Sequence, residues 1–433
     1  LVFKINNKMK KRAFAMASKQ KETQNIMVGL DVGTSRIVAI VAEVSDSGAL
    51  NIIGMGQSPS KGMKRGMVVN IDATVQDIQN AIKEAELMAD CQIKQVYVGI
   101  AGSHIKSLNS NGLATIKDRE VTQNDIDRVM ESASAVAIPP EHEVLHILDQ
   151  GYRIDGHESV KDPLGMSGVR LETNVHIVSG ASSAIQNLSK CVHRCGLLVD
   201  SFVLQPLAAS LSVLSEDEKE LGVCLIDIGA GTTDVVVYVG GSIRHSVVIP
   251  MGGDHITADL AAGLHTPTKE AEEIKVLHGL AMVNMPDGHQ IIEVPTLGDR
   301  GPRQMQRGTL ATLIEPRVEE LFGLIQRELE PDGERAYEIP VGFVLTGGGA
   351  LMPGLTAFAE EIFHASVRVG VPQYMGALTE IVKTPRYATS VGLLKFAQQQ
   401  YKIDSISAAR RPASSGLAGG FFGKIRNFFS IYF

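Results

Sequence analysis

Leu30-Asp31-Val32-Gly33-Thr34-Ser35-Arg36-Ile37-Val38-Ala39-Ile40-Val41 and Ile226-Asp227-Ile228-Gly229-Ala230-Gly231-Thr232-Thr233-Asp234-Val235-Val236-Val237-Tyr238 follow one pattern: an apolar run, an aspartate, an aliphatic residue, glycine, small hydroxyl residues, then β-branched residues. Each reads as a strand–turn–strand unit, and its recurrence in the two halves of the chain reads as duplication of one α/β unit. An Asp-aliphatic-Gly turn also has a chemical use. Glycine lets backbone approach a polyphosphate, successive N–H groups cradle its oxygens, and the carboxylate holds hydrated Mg²⁺. One such turn is ordinarily a plain hairpin; one in each half sets a phosphate clamp on either side of a cleft.

Other stretches fit around those turns. Val344-Leu345-Thr346-Gly347-Gly348-Gly349 reads as a strand entering a triple-glycine turn, against which a flat base and ribose can lie; alone it is also a plain strand-to-helix turn. Gly252-Gly253-Asp254 opens a helix whose N-terminus suits phosphate oxygens. Glu272 and Lys275 share a helix face at i,i+3, as a solvated ion pair or as a grip on ribose hydroxyls and purine. Hydrolysis needs a group that orients water, and Gln205, opening the helix QPLAASLSVL, is the residue on offer. Glutamine is a very poor base, so it suits slow turnover; its plain reading is a polar helix start.

The chain has 433 residues, with 41 Lys and Arg against 48 Asp and Glu, a net charge of −7, 44% hydrophobic and 21% charged residues. That composition excludes wholesale disorder and argues against a general nucleic-acid binder, so no nucleic-acid partner is expected. Cys91, Cys191, Cys195 and Cys224 form no CxxC pair, which argues against a disulfide scaffold or zinc knuckle and for a reducing, cytoplasmic setting. No apolar stretch approaches the roughly 18 to 20 residues of a membrane span.

Residues 1–25 read as a basic flexible extension without the apolar core of a signal peptide. A first lobe begins over 26–102 with a hairpin and a helix starting near Ile71, capped by Asp72. The texture changes over 103–174 to short strands around a helix opening at Thr122 with Asp125 in a capping-box position, which reads as an inserted subdomain. The first lobe resumes over 175–220 and ends in a charged loop, SEDEKE. A second lobe follows over 221–279, with a smaller subdomain over 280–339 and the triple-glycine motif with a closing helix over 340–402. Its basic run Gly298–Arg307 reads first as a solvated loop. Residues 403–420, rich in Ser, Ala and Gly, read as a linker.

The chain then closes on FFGKIRNFFSIYF, residues 421–433. Phe421, Phe422, Ile425, Phe428, Phe429 and Tyr432 fall on one helical stripe, with Lys424 and Arg426 on the other side. This is the pattern of an interfacial helix favouring anionic lipid, short enough that binding strengthens only when copies line up.

The order of phosphate 1, phosphate 2 and adenosine motifs resembles the actin, Hsp70 and sugar-kinase ATPase superfamily. Within it, LDVGTSRI, KGMKRGMVVNID, LGVCLIDIGAGTTDVVVY, TPTKEAEEIKVLHG, IEPRVEEL, VLTGGGALMPGL and TSVGLL resemble the bacterial cell-division FtsA family over about Ile26 to Gln398 and again in the tail. The resemblance implies a two-lobed actin-like α/β fold of duplicated RNase H-like halves, with an insertion in the first lobe and a C-terminal amphipathic helix. It implies ATP and Mg²⁺ between the lobes, Asp31 and Asp227 near the metal, and Gly33, Thr34, Ser35, Arg36, Gly229, Gly231, Thr232, Thr233, Gly252 and Gly253 around the phosphates. Thr346, Gly347, Gly348, Gly349, Glu272 and Lys275 would hold the nucleoside. Arg36 departs from the lysine of several relatives. By the same resemblance the protein self-associates on the cytoplasmic face of the inner membrane at the division site. There it tethers FtsZ filaments, whose acidic tail meets residues 280–339 with help from the basic run, and recruits downstream divisome proteins. A pilus-assembly actin-like adaptor is the alternative; a small-molecule kinase would need a substrate base that the sequence does not offer.

Overall fold

The duplication is visible as two five-stranded sheets of one topology. The computed structural model describes residues 26–410 apart from 46–47, 158–159, 297–300 and 332–335. The first half runs β1 (Ile26–Val32), β2 (Arg36–Val44), β3 (Leu50–Pro59), a small hairpin of β4 (Met63–Lys64) and β5 (Met67–Val68), α1 (Ile71–Ala89) and β6 (Gln95–Ile100). The insertion follows as β7 (Ile105–Thr115), α2 (Gln123–Ser134), β8 (His142–Ile154) and β9 (Arg170–Ala181). The first half then resumes with α3 (Ser182–Arg194), β10 (Leu198–Leu204), α4 (Gln205–Val213) and α5 (Glu216–Leu221). The second half runs β11 (Val223–Ile228), β12 (Thr233–Val239), β13 (Ser242–Ile249), α6 (Gly253–Leu264), α7 (Thr268–His278), β14 (Ile291–Val294), β15 (Arg303–Gln306) and α8 (Gly308–Leu329). It ends with β16 (Gly342–Thr346), α9 (Leu355–Phe363), β17 (Val367–Val369), α10 (Thr379–Val382) and α11 (Ala388–Arg410).

The sheet orders are β10-β6-β1-β2-β3 and β13-β12-β11-β16-β17. In both, a meander of three antiparallel strands is extended by two parallel ones, and the first strand carries the aspartate at the same register: Asp31 lies beside Gly99 of β6 as Asp227 lies beside Thr346 of β16. The strands read as continuous apolar runs because helices cover both faces. The insertion is a separate three-stranded sheet, β7-β9-β8, with its own apolar core around Val129, Met130, Tyr152, Leu171 and Val175 under α2. It also reaches the second half: Ser107 Oγ donates to the Ser246 carbonyl at 2.7 Å, Gln150 Nε2 to the Ile243 carbonyl at 2.7 Å, and His176 Nε2 meets Ser246 Oγ at 2.8 Å.

Several local expectations change. Helix α1 is capped by Asn70, whose Oδ1 accepts from the Ala73 N–H at 3.0 Å, rather than by Asp72. Asp72 lies within the first turn, where its charge suits the helix dipole and it pairs with Arg194 at 2.8 Å. The SEDEKE stretch is not a loop but α5, nucleated by a Ser215/Glu218 capping box. Thr122 and Asp125 do form the capping box expected of α2. Strand β9 continues through Ala181, past the boundary read at 174. Helix α11 runs on to Arg410, so 403–410, read as linker, is helical; Ser and Ala permit this until Pro412. The interfacial helix at 421–433 and the basic extension 1–25 lie outside the described residues.

Helix α11 joins the halves. It packs on α4 and β1, with Leu393 and Phe396 in the core shared with Leu207 and Val236. The approach is so close that a Cβ on Gly392 would be driven into the Ala208 carbonyl. Gly392→Val should therefore lower stability by about 1–3 kcal/mol or more, read as a clear fall in melting temperature by circular dichroism. An unchanged melting temperature would mean that the helices stand further apart.

Candidate functional site

The two sheet-borne aspartates meet at the floor of a cleft. Asp31 Oδ2 accepts from Ser390 Oγ at 3.1 Å and Asp31 Oδ1 from Gln205 Nε2 at 3.0 Å; Asp227 Oδ2 accepts from Thr389 Oγ1 at 3.0 Å. Thr389 and Ser390 are consecutive residues in the first turn of α11, so one helix end braces one carboxylate from each half. A third carboxylate, Asp234, sits opposite Asp227 in the β11–β12 register. It is buried, and its Oδ1 has no hydrogen-bond partner among the described residues.

Burial dominates the titration of all three. It pushes Asp31 up to about 6, against the Ser390 hydrogen bond and the charge of Arg36. It pushes Asp227 up to about 7, opposed by Thr389 and reinforced by the charge of Asp31. Asp234 is raised well above the ordinary carboxylate range by burial and then by Asp227. Enclosed carboxylates with an unmet oxygen are a donor set for a hard cation. No group of three His, Cys, Asp or Glu among the described residues is placed to hold a metal ion by itself.

Above this floor lies a cavity of about 340 Å³ walled by both halves. Asp31, Gly33, Thr34, Ser35, Arg36, Gln205, Asp227, Gly229, Gly231, Thr232, Gly253, Glu272, Lys275, Gly347, Gly348 and Gly349 all line it. Gly347 has φ +82, and a Cβ there would collide with Asp227 Oδ1, so only glycine lets the β16 turn pass the carboxylate. A Cβ on Gly348 would meet nothing within 4 Å, which leaves that backbone open to a flat ligand. Ile256, Val276, Val318, Leu321 and Leu355 supply an apolar wall.

Three residues assigned to the site stand behind it. Thr233 is fully buried and donates to the Met251 carbonyl at 2.8 Å; Thr346 is fully buried and donates to the Gly370 carbonyl at 3.0 Å. Gly252 is the buried cap of α6. In the two threonines strand alternation turns the hydroxyl away from the turn. Arg36 lines the cavity, yet its Nη2 donates to the Arg386 carbonyl at 3.0 Å and its guanidinium lies over the Tyr387 ring at 5.1 Å. Lys275 Nζ pairs with Glu272 at 2.6 Å and also donates to Thr257 Oγ1 at 2.8 Å and the Gly253 carbonyl at 3.0 Å. In the basic run, 298–300 lie outside the described residues. Arg303 donates to the Leu264 carbonyl at 2.8 Å and Arg307 to the His278 carbonyl at 2.8 Å, so both guanidiniums brace their own lobe.

Asp234, Thr257, Thr389 and Ser390 are the site residues that local reading misses. Asp234 closes the second copy of the turn, where the first copy has Val38. The hydroxyl pair lies in TSVGLL, far along the chain from either aspartate.

The family description "Cell division protein FtsA" matches residues 224–392, and "SHS2 domain inserted in FTSA" matches residues 102–179. The chain is 53% identical to the cell division protein FtsA of Pseudomonas aeruginosa over 387 residues, covering 89% of this chain and 92% of that one. The chain belongs to the FtsA family. Its FtsA-family relatives include that of Neisseria meningitidis serogroup B, 51% identical over 87% of this chain and 91% of that one, and that of Escherichia coli K12, 43% identical over 90% and 95%.

Among solved structures, the PilM-PilN type IV pilus biogenesis complex aligns with TM-score 0.62 at 17% identity, covering 86% of this chain and 98% of that one. MreB5 of Spiroplasma citri bound to ADP aligns with TM-score 0.54 at 14% identity, covering 87% and 98%. These likenesses establish the actin-like fold, and the pilus adaptor is therefore shared at the level of fold alone. The matched insertion spans β7 to β9, a few residues longer than the 103–174 read from texture.

The raised carboxylates give this FtsA-family chain a pH signature in the absence of divalent metal. Unfolded, Asp227 titrates near 3.9; folded, near 7, so the protonated native form is favoured at low pH and that contribution is lost as pH rises toward 7. Asp227→Asn removes the loss while keeping an acceptor for Thr389. The melting temperature of the variant relative to wild type should therefore climb by several degrees from pH 5 to pH 8 in EDTA. A difference that stays flat with pH would show that Asp227 titrates as an ordinary carboxylate.

Proposed function

We propose that the chain is an ATP-binding, actin-like division scaffold that self-associates at the cytoplasmic face of the inner membrane and tethers FtsZ filaments there. The observation that carries the nucleotide half of this reading is the pair of carboxylates braced by Thr389 and Ser390 beneath glycine turns from both halves. Family membership carries the division half. Asp31, Asp227 and Asp234 would hold Mg²⁺, which neutralises phosphate charge when bound. The glycine turns would donate backbone N–H groups to the phosphates. Gly347 to Gly349, Val318, Leu321 and the Glu272–Lys275–Thr257 network would enclose the nucleoside.

Turnover in this reading is slow. Gln205 spends its amide N–H on Asp31, and its remaining carbonyl oxygen orients water without accepting a proton. Binding therefore acts chiefly on the relation between the lobes, and lobe closure is what self-association would sense. The Phe-rich stripe at 421–433 supplies the lipid contact, each copy weakly and a filament strongly. The smaller subdomain of the second lobe receives the acidic FtsZ tail.

The test is co-sedimentation of FtsZ with anionic vesicles in the presence of Mg²⁺ and ATP. The intact chain should bring FtsZ into the pellet, and a chain truncated before Phe421 should leave it in the supernatant. Intact chain that pellets with vesicles while FtsZ stays in solution would refute the tether.

A further inference from the structure

The turn between β4 and β5 stands where both glycine turns come together. Gly66 N donates to Thr34 Oγ1 at 3.1 Å, and Gly66 lines the cavity. A Cβ on Gly231 would stand 2.7 Å from Thr34 Oγ1 and 3.0 Å from Arg65 Cα. The loop of Gly229 to Gly231 thus spans the cleft: Gly229 lies toward Gly253 and Lys275 at the nucleoside end, Gly231 toward Thr34 and Arg65 at the other.

Lys64-Arg65-Gly66-Met67 is a two-residue hairpin turn with φ +50 at Arg65 and +76 at Gly66. This mirror-image turn favours Asn-Gly, and a long side chain at its first central position is disfavoured. Arg65 is exposed, with no hydrogen bond or ion pair among the described residues. Of the cations that line the cavity, Arg36 is engaged on the Arg386 carbonyl and Lys275 on Glu272, while Arg386 stands beside Arg36. A triphosphate whose terminal oxygens reach the Thr34–Gly231 end of the cavity would meet the Arg65–Gly66 turn there.

We infer that Arg65 reads the terminal phosphate of a bound nucleoside triphosphate and sets the preference of the site for triphosphate over diphosphate. The inference rests on the nucleotide reading proposed above. A guanidinium on a phosphate forms charge-assisted, forked hydrogen bonds, and a diphosphate ends short of its reach. A residue ill-suited to its own turn, held between the two phosphate loops, is explained by such a contact.

Titration of the full chain with fluorescent ATP and ADP analogues in Mg²⁺ tests this. Arg65→Ala should weaken ATP by about tenfold or more and leave ADP within about twofold. Arg65→Asn, which suits the turn, should show the same loss of ATP preference with a melting temperature equal to or above wild type. Lys64→Ala should change neither affinity. An Arg65→Asn chain that keeps the wild-type ATP-to-ADP ratio, or that loses both nucleotides equally, overturns the inference while leaving the nucleotide site standing. A wild-type chain that binds neither analogue overturns the nucleotide reading and this inference with it.

Discussion

Two carboxyl groups brought to one cleft floor, one from each half, are the constraint around which the rest of the structure is arranged. Asp31 and Asp227 end equivalent strands in separate sheets, and the charge of Asp31 adds to the cost of ionising Asp227. A hydrogen bond to a charged acceptor is worth about 1.5–3 kcal/mol, and the hydroxyls of Thr389 and Ser390 provide one to each carboxylate. Because those hydroxyls are neighbours on one helix turn, the two halves cannot part without breaking at least one of them. The placement of α11, its glycine contact with α4 and its core residues all serve that geometry.

The duplication is not symmetric, and the asymmetry is chemical. In the first half the residue across from the aspartate is Val38, apolar and buried; in the second it is Asp234. Negative charge is thereby concentrated on one lobe, while Ser390 and Gln205 hold the carboxylate of the other. The inserted subdomain adds a second span between the halves, part polar and part apolar: His176, kept neutral by burial that pushes it down to about 4, meets Ser246 across to β13, and Leu148 and Val178 share the buried core that holds Tyr238 and Ile243.

What was legible in the sequence was whatever local chemistry dictates. The aspartate–glycine turns, the triple-glycine turn and the alternation of apolar runs are consequences of backbone conformation and burial, and their residues come together as a lining. What was not legible depended on competition between neighbours or on distance. Asn70 and Asp72 are both good caps, and only the helix start decides between them. SEDEKE carries a capping box whose signal is drowned by its charge. Thr233 and Thr346 lie within the right motifs but on the inward face of their strands, and strand phase at a turn is not fixed by composition. Ser390 lies 359 residues from Asp31, beyond the reach of any local pattern.

The same electrostatics accounts for glutamine at position 205. A glutamate there would be the stronger base, but it would place a further carboxylate against Asp31, whose pKa burial has already raised to about 6. That glutamate would itself be driven toward its protonated form, losing the basicity for which it would be useful. The neutral amide instead donates to Asp31 and lowers the cost of its charge. A site that concentrates carboxylates thereby forfeits a strong general base next to them.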